Sequence, residues 1–362
     1  MKIVDLKVTA INIPRTNRLI TSYGSVDYAQ TILIEILTDE GITGIGQISV
    51  DAPFYGETGE GMVANIRTYL APTLQGENPL NITHLNHKMH SALPHHWCSY
   101  SGVDMALWDL KGKALGVPVY QLMGGKVRDG LDLMGFVNLS TPEQMAAEAK
   151  ERLDEHGYPV LKMKIGLDPH DDVKRYQAVA EAMGDRAVIQ VDGNTGYTIS
   201  QAIPALTAME RIGGLGCIEQ PVDRMEDMVE IAQKLAAPVM ADESIYPPAD
   251  AIEVVRRKAA SIALMKINKH GGLTNVHQIG MIFEAAGYVL SIAIYYDLIG
   301  VAAAHLAAAL PCVTWPSPAT PMTDTILGTH FEPEGLKLRV PDGPGLGVEL
   351  DWDKINHYRI DL

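Results

Sequence analysis

Apolar positions follow two rhythms along the chain. Ile3–Ile11 and Thr31–Leu37 are rich in β-branched residues, and Asp39-Glu40-Gly41 marks a turn before a third such run, Ile42–Ser49. These runs predict strands. Helical spacing follows near Glu60–Leu74 and Gly102–Leu115. From about residue 131 short apolar runs alternate with amphipathic stretches. The runs are Leu131–Asn138, Val160–Ile165, Ala187–Val191, Gly216–Ile218, Val239–Ala241, Ile262–Ile267, Tyr288–Ala293 and Cys312–Trp315. One intervening stretch opens with Thr141-Pro142-Glu143-Gln144 and stops at Gly157. That opening joins a capping box to a proline at the first helical position. Another stretch is predicted to run from Asp172 to a stop at Gly184.

Eight strands with helices between them predict an α/β fold, a (β/α)8-type barrel, whose functional residues sit at the C-terminal strand ends. The expected division is a capping α+β domain over residues 1–125, a barrel over 126–330, and a segment over 331–362 that returns toward the capping domain. A doubly wound sheet would carry a glycine-rich fingerprint after its first strand, and none is present. Gly41, Gly44 and Gly46 lie in a hairpin with no helix after it, so they do not read as a phosphate loop. Gly343-Pro344-Gly345-Leu346-Gly347 reads as a turn.

Composition narrows the partners. The 362 residues are 47% hydrophobic and 20% charged, with a formal charge of −15. Such an acidic chain lacks the basic face that nucleic acid or an anionic membrane requires. An anionic substrate stays possible, because a local metal or lysine cluster can outweigh the net field. Cys98, Cys217 and Cys312 form no disulfide framework and fit a reducing compartment. The first residues lack a signal-peptide pattern. No apolar run reaches the roughly 20 residues needed to span a bilayer. The expectation is a cytoplasmic homo-oligomer acting on a small carboxylate.

Polar residues recur where the barrel strands should end: Lys162 and Lys164 in LKMKIG, Asp192 and Asn194 in VDGN, Glu219 in CIEQP, Asp242 in ADES and Lys266 in LMKINKHGG. From Lys164 the successive spacings are 28, 27, 23 and 24 residues. A barrel of about 250 residues has about 31 per strand–helix unit, so the pattern places one such group per unit. Lys162 and Lys164 are two apart and face the same way on a strand. One Asp or Lys near a strand end is ordinarily a cap or a surface charge, but five in register are not. Three converging carboxylates would repel in a partly dry site. One hard divalent cation relieves this, and oxygen-only ligands favour Mg²⁺. The lysines then flank it from strands on either side.

These motifs (Lys-x-Lys, Asp-x-Asn, Glu-Gln-Pro, Asp-Glu-Ser and Lys-x-x-Lys-x-Gly-Gly) resemble the muconate lactonizing enzyme subgroup of the enolase superfamily, over nearly the whole chain. The resemblance implies an enolase-like modified TIM barrel. It implies Asp192, Glu219 and Asp242 as Mg²⁺ ligands, and Lys164 and Lys266 as acid/base catalysts. Lys162 would support an enediolate electrostatically, with Asn194 beside it. Lysine bases with Mg²⁺ are a documented pattern for enolase-superfamily sites. Crowding by Lys162 and the metal would favour the neutral amine of Lys164. After the seventh strand many relatives carry a Glu four residues before the glycine of an Ile-Gly pair. Ile299-Gly300 puts Tyr296 there. That departure weakens transfer of cycloisomerase or acyl-amino-acid racemase activity.

The implied reaction is abstraction of the proton α to a carboxylate. Dehydration and epimerisation use the same residues. The expectation is an amino-acid-type substrate, such as a proline or hydroxyproline derivative, with Tyr295, Tyr296 and Asp297 facing its ammonium. The alternative is a muconate-type cycloisomerase or a dipeptide or N-acylamino-acid epimerase. A Schiff-base lysine enzyme and a non-catalytic scaffold fit the carboxylate set less well. His84, His87 and His90 read as a surface helix, and His95 and His96 as a solvated loop. The loops around Tyr23-Gly24 and Phe54-Tyr55-Gly56 are expected to close over substrate.

Overall fold

The computed structural model describes the backbone of residues 1–21, 24–294, 297–318 and 323–362, and side chains outside 16–27. The β-branched runs near the N-terminus form an antiparallel meander: β1 (Ile3–Thr21), β2 (Gly24–Thr38) and β3 (Thr43–Ser49). Asp39-Glu40-Gly41 makes the expected turn, and Gly41 supplies a φ of 77°. The helix Trp97–Leu115 lies across β2 and β3. Gly44 and Gly46 make that contact possible. A Cβ on Gly44 would lie 2.2 Å from the Ala106 carbonyl oxygen, and one on Gly46 would lie 2.0 Å from that of Gly102. Their role is close packing, in keeping with the exclusion of a phosphate loop. The isoleucines Ile32, Ile34, Ile36 and Ile48 bury one face of the sheet against Val103, Leu107 and Leu110.

The second half alternates strands with helices. The parallel strands are β4 (Gly130–Val137), β5 (Val160–Lys164), β6 (Val188–Asp192), β7 (Leu215–Glu219), β8 (Val239–Ala241), β9 (Ile262–Met265) and β10 (Val289–Ile292). They pair in sequence order, with Lys164 opposite Asp192 and Asp192 opposite Glu219. The barrel closes through Val313, which bridges Leu290, and through β11 (Ser317–Pro318), which pairs with β4. The expected eighth strand, Cys312–Trp315, therefore meets only β10, and the pairing with β4 falls beyond it at Ser317–Pro318. Pro316 lies between the two pairings, and a proline has no N–H for a ladder. Outside the barrel, β12 (Lys337–Arg339) pairs antiparallel with β4. Finally β13 (Arg359–Ile360) adds to the outer edge of β1, so the last segment joins the first sheet. The result is a near-closed parallel barrel capped by an N-terminal α+β domain.

Helix ends follow local chemistry. Thr141 Oγ1 accepts from Gln144 N, and Gly157 ends the helix Pro142–His156 with a φ of 67°. The next helix begins earlier than expected, at Pro169, because Asp168 caps it by accepting from His170 N and Asp171 N. Asp172 turns inward instead. It accepts from Gly166 N at 2.9 Å and Tyr197 Oη at 2.5 Å, holding the loop that follows Lys164. No helix among the described residues is long and apolar enough to cross a membrane.

Candidate active site

Alternation along the strands sends Lys162 and Lys164, Gln190 and Asp192, and Cys217 and Glu219 into the barrel. Lys162 is central. Its ammonium donates to Glu219 Oε2 at 2.6 Å and lies 2.8 Å from Asp192 Oδ2. Lys164 lies 2.6 Å from the same Asp192 oxygen and donates to Asn194 Oδ1 at 2.5 Å. On the far side Lys266 donates to Asp242 Oδ2, and Lys269 lies 2.7 Å from Asp242 Oδ1. The five strand-tip groups thus lie at the same end of neighbouring strands, in two ion-pair clusters, one around Asp192 and Glu219 and one around Asp242. Lys164 is the most open of the four lysines, with 26% of its side chain exposed, against 4% for Lys162.

Loop backbones hold these groups in place. Gln220, with a φ of 32°, accepts through Oε1 from Asp242 N at 2.9 Å and Ser244 N at 3.1 Å. Asn194, with a φ of 39°, donates to Glu243 Oε1 at 2.9 Å while its oxygen faces Lys164. Phe54 of the capping domain lies over Lys266, with the ammonium 3.7 Å from the ring centroid.

Electrostatics follow from this crowding. Burial opposes the charge of Lys162, but Asp192 and Glu219 outweigh it and hold the ammonium above its ordinary range. Burial likewise opposes ionisation of Asp192 and Asp242, yet their lysine neighbours hold both carboxyls well below the usual range. Glu219 behaves differently. Burial and the charge of Asp192 push it up to about 7.

Among the described residues no three His, Cys, Asp or Glu side chains are drawn together as a ready ligand set, since Lys162 stands between Asp192 and Glu219. The donors still suit a hard cation. They are all oxygens on consecutive strands, and Glu219 Oε1 is buried with no hydrogen-bond partner. An orphaned buried carboxylate oxygen is costly unless positive charge meets it.

Other expected residues lie elsewhere. Asp297 is buried, but its oxygens accept from Gln47, Thr325 and Ile326, so its carboxylate serves the domain junction and not an ammonium. Tyr295 and Tyr296 lie outside the described residues, as does the loop at Tyr23. His84 is exposed on the helix Ile82–Ala92, whereas His90 packs against Trp97 and Tyr100. Sequence reasoning missed Gln190, Glu243 and Lys269 as site residues. Each had a signal: Gln190 shares strand parity with Asp192, Glu243 follows Asp242, and Lys269 belongs to the Lys-x-x-Lys motif.

Comparison with known proteins identifies the family. Residues 3–124 match the mandelate racemase / muconate lactonizing enzyme N-terminal domain, and residues 144–354 match the enolase C-terminal domain-like family. An N-succinyl-L-Arg/Lys racemase from Bacillus cereus is 30% identical, with 99% of this chain and 98% of that protein covered. Its crystal structure superimposes with a TM-score of 0.95 at 29% identity, covering 100% of this chain and 99% of that one. A chloromuconate cycloisomerase from Pseudomonas putida is 31% identical over 99% of both chains. A substrate-liganded L-Ala-D/L-Glu epimerase from Bacillus subtilis gives a TM-score of 0.90 at 28% identity, covering 96% of this chain and 99% of that one. The chain is an enzyme of the enolase superfamily and belongs to its mandelate racemase/muconate lactonizing enzyme subgroup.

Proposed function

We propose that this enzyme removes the proton α to a substrate carboxylate with one lysine and returns a proton with the other, epimerising an N-acylamino acid or dipeptide. The observation that carries this reading is the flanking of one carboxylate cluster by two amines. Lys164 approaches from β5 and Lys266 from the end of β9, with the tips of β6, β7 and β8 between them. Such a pair can reach opposite faces of one carbon.

Asp192, Glu219 and Asp242 would hold a Mg²⁺ ion, which supplies fixed positive charge for the substrate carboxylate. Lys162, kept charged by its neighbours, meets the negative charge that grows on the enediolate oxygens. Lys164 takes the proton on one face as a neutral amine, and Lys266 donates on the other as an ammonium. The reverse reaction exchanges their roles. Asn194 orients Lys164. Phe54 roofs Lys266 and shields it from water.

The relatives support an epimerase over a dehydratase. They are a racemase, an epimerase and a cycloisomerase, and the proline or hydroxyproline expectation has no counterpart among them. The deciding assay offers N-succinyl amino acids, dipeptides, hydroxyprolines and muconates in D₂O with Mg²⁺. Deuterium at the α-carbon with inversion of an acylated amino acid or dipeptide is the expected result, and a chelator stops it. Lactone formation from muconate would instead make it a cycloisomerase, and loss of water from a hydroxyproline a dehydratase.

A further inference from the structure

We propose that Trp315 and Gln190 form a positioning relay that selects which oxygen of Glu219 faces the cation, and so sets the affinity of the site for it. This rests on Glu219 being a metal ligand, as proposed above.

Gln190 lies on β6, two residues before Asp192 and opposite Lys162 on β5. It is fully buried. Trp315 Nε1 donates to Gln190 Oε1 at 2.6 Å. An indole N–H only donates, so the amide must turn its oxygen toward Trp315. The amino group then points the other way, to Glu219 Oε2, with Met240 Sδ at 3.6 Å on its flank. The Lys162 ammonium reaches the same Glu219 oxygen. Oε2 therefore takes two donors, while Oε1 is buried and takes none. The relay leaves Oε1 as the free lone-pair donor.

A reversed amide would set its carbonyl oxygen against a carboxylate oxygen. Glu219 would have to rotate, and Oε1 would lose its aim. The indole prevents this from outside the catalytic strands. Trp315 sits in the closing segment after Val313, and its backbone N–H donates to Leu290 O at 3.2 Å. Partners that orient a ligand in this way alter metal affinity by about 10- to 100-fold.

The test is Mn²⁺ titration of the metal-stripped enzyme, followed by electron paramagnetic resonance, with thermal unfolding of each stripped variant as a fold control. Trp315→Phe and Gln190→Met are each expected to weaken Mn²⁺ binding about 10-fold. Trp315 acts only through Gln190, so the double variant should bind no more weakly than Gln190→Met alone. Wild-type affinity in either single variant, or additive losses in the double, would overturn the relay. Should Trp315→Phe fail to fold, Gln190→Met decides alone. Glu219→Gln separates the two readings. If it too keeps wild-type affinity, the ligand set is wrong; if it alone loses Mn²⁺, only the relay is wrong.

Discussion

Gln47 and Asp297 join the capping sheet to the barrel through both ends of one amide. Gln47 Nε2 donates to Asp297 Oδ2 at 3.3 Å, and Gln47 Oε1 accepts from Leu298 N at 3.0 Å. The other Asp297 oxygen accepts from Thr325 Oγ1 at 2.5 Å and Ile326 N at 3.1 Å. Asp297 also adopts a φ of 50°, which Asn tolerates and a β-branched residue does not. Burial pushes its carboxyl up, toward the neutral form that Asn imitates. Asp297→Asn should cost about 1 kcal/mol of stability, and Asp297→Val more than about 3 kcal/mol. Urea unfolding of the two variants checks the order, and equal losses would remove this role from Asp297.

The lysine pair predicts a stereochemical split. Lys164→Ala should abolish α-proton exchange for one antipode and leave it for the other, with Lys266→Ala showing the reverse preference. Net epimerisation should fall by about 10²- to 10⁴-fold in each. Nuclear magnetic resonance in D₂O, started from each pure antipode, reads this out. Loss of exchange for both antipodes in both variants would contradict an assignment of one lysine per face.

Asn194 stands between Glu243 and Lys164, so the acceptor at Glu243 fixes which end of the amide meets the amine. Glu243→Gln keeps a carbonyl there and should retain most of the turnover. Glu243→Leu removes it and lets the amide turn its NH₂ toward Lys164. That variant should lose about 10-fold in kcat with little change in KM. Steady-state kinetics distinguish this from a binding defect, which would move KM instead.

His305 predicts an acid-side loss of stability. It is buried, accepts at Nδ1 from Tyr120 N at 3.2 Å, and sits 3.1 Å through Nε2 from Leu346 O. Burial pushes it down to about 4 from an ordinary 6.5. Between these values the unfolded chain holds the proton and the folded chain does not, so stability falls as pH falls through that window. The loss amounts to roughly 3 kcal/mol by pH 4. Unfolding free energies of wild type and His305→Gln, measured at pH 7.5 and 4.5, should differ in slope. The same pH dependence in both would place the acid-sensitive group elsewhere.

The sequence made the strand tips legible because a parallel strand writes its own inward face. Lys162 and Lys164, then Asp192, Glu219, Asp242 and Lys266, follow from strand parity and unit spacing alone. Local chemistry was equally readable at Thr141 and Gly157. The contacts that escaped notice join distant segments. Trp315 meets Gln190 across 125 residues, and Gln47 meets Asp297 across 250. Periodicity tells which way a side chain points, but not which remote neighbour it finds there. The early start of the helix at Pro169 was missed for another reason. Asp168 and Asp172 are both plausible caps, and only the inward pull of Gly166 N and Tyr197 on Asp172 separates them.

The bridging of Lys162 to both Asp192 and Glu219 has a bearing on how the enzyme matures. Four lysines pair with the three carboxylates Asp192, Glu219 and Asp242 at the strand tips, using groups the chain itself supplies. A polypeptide whose buried carboxylates already meet ammonium groups of its own can reach its final shape on side chains alone, and the cation proposed above would then enter as a separate event. In that respect it differs from domains that a metal must hold together before they exist at all.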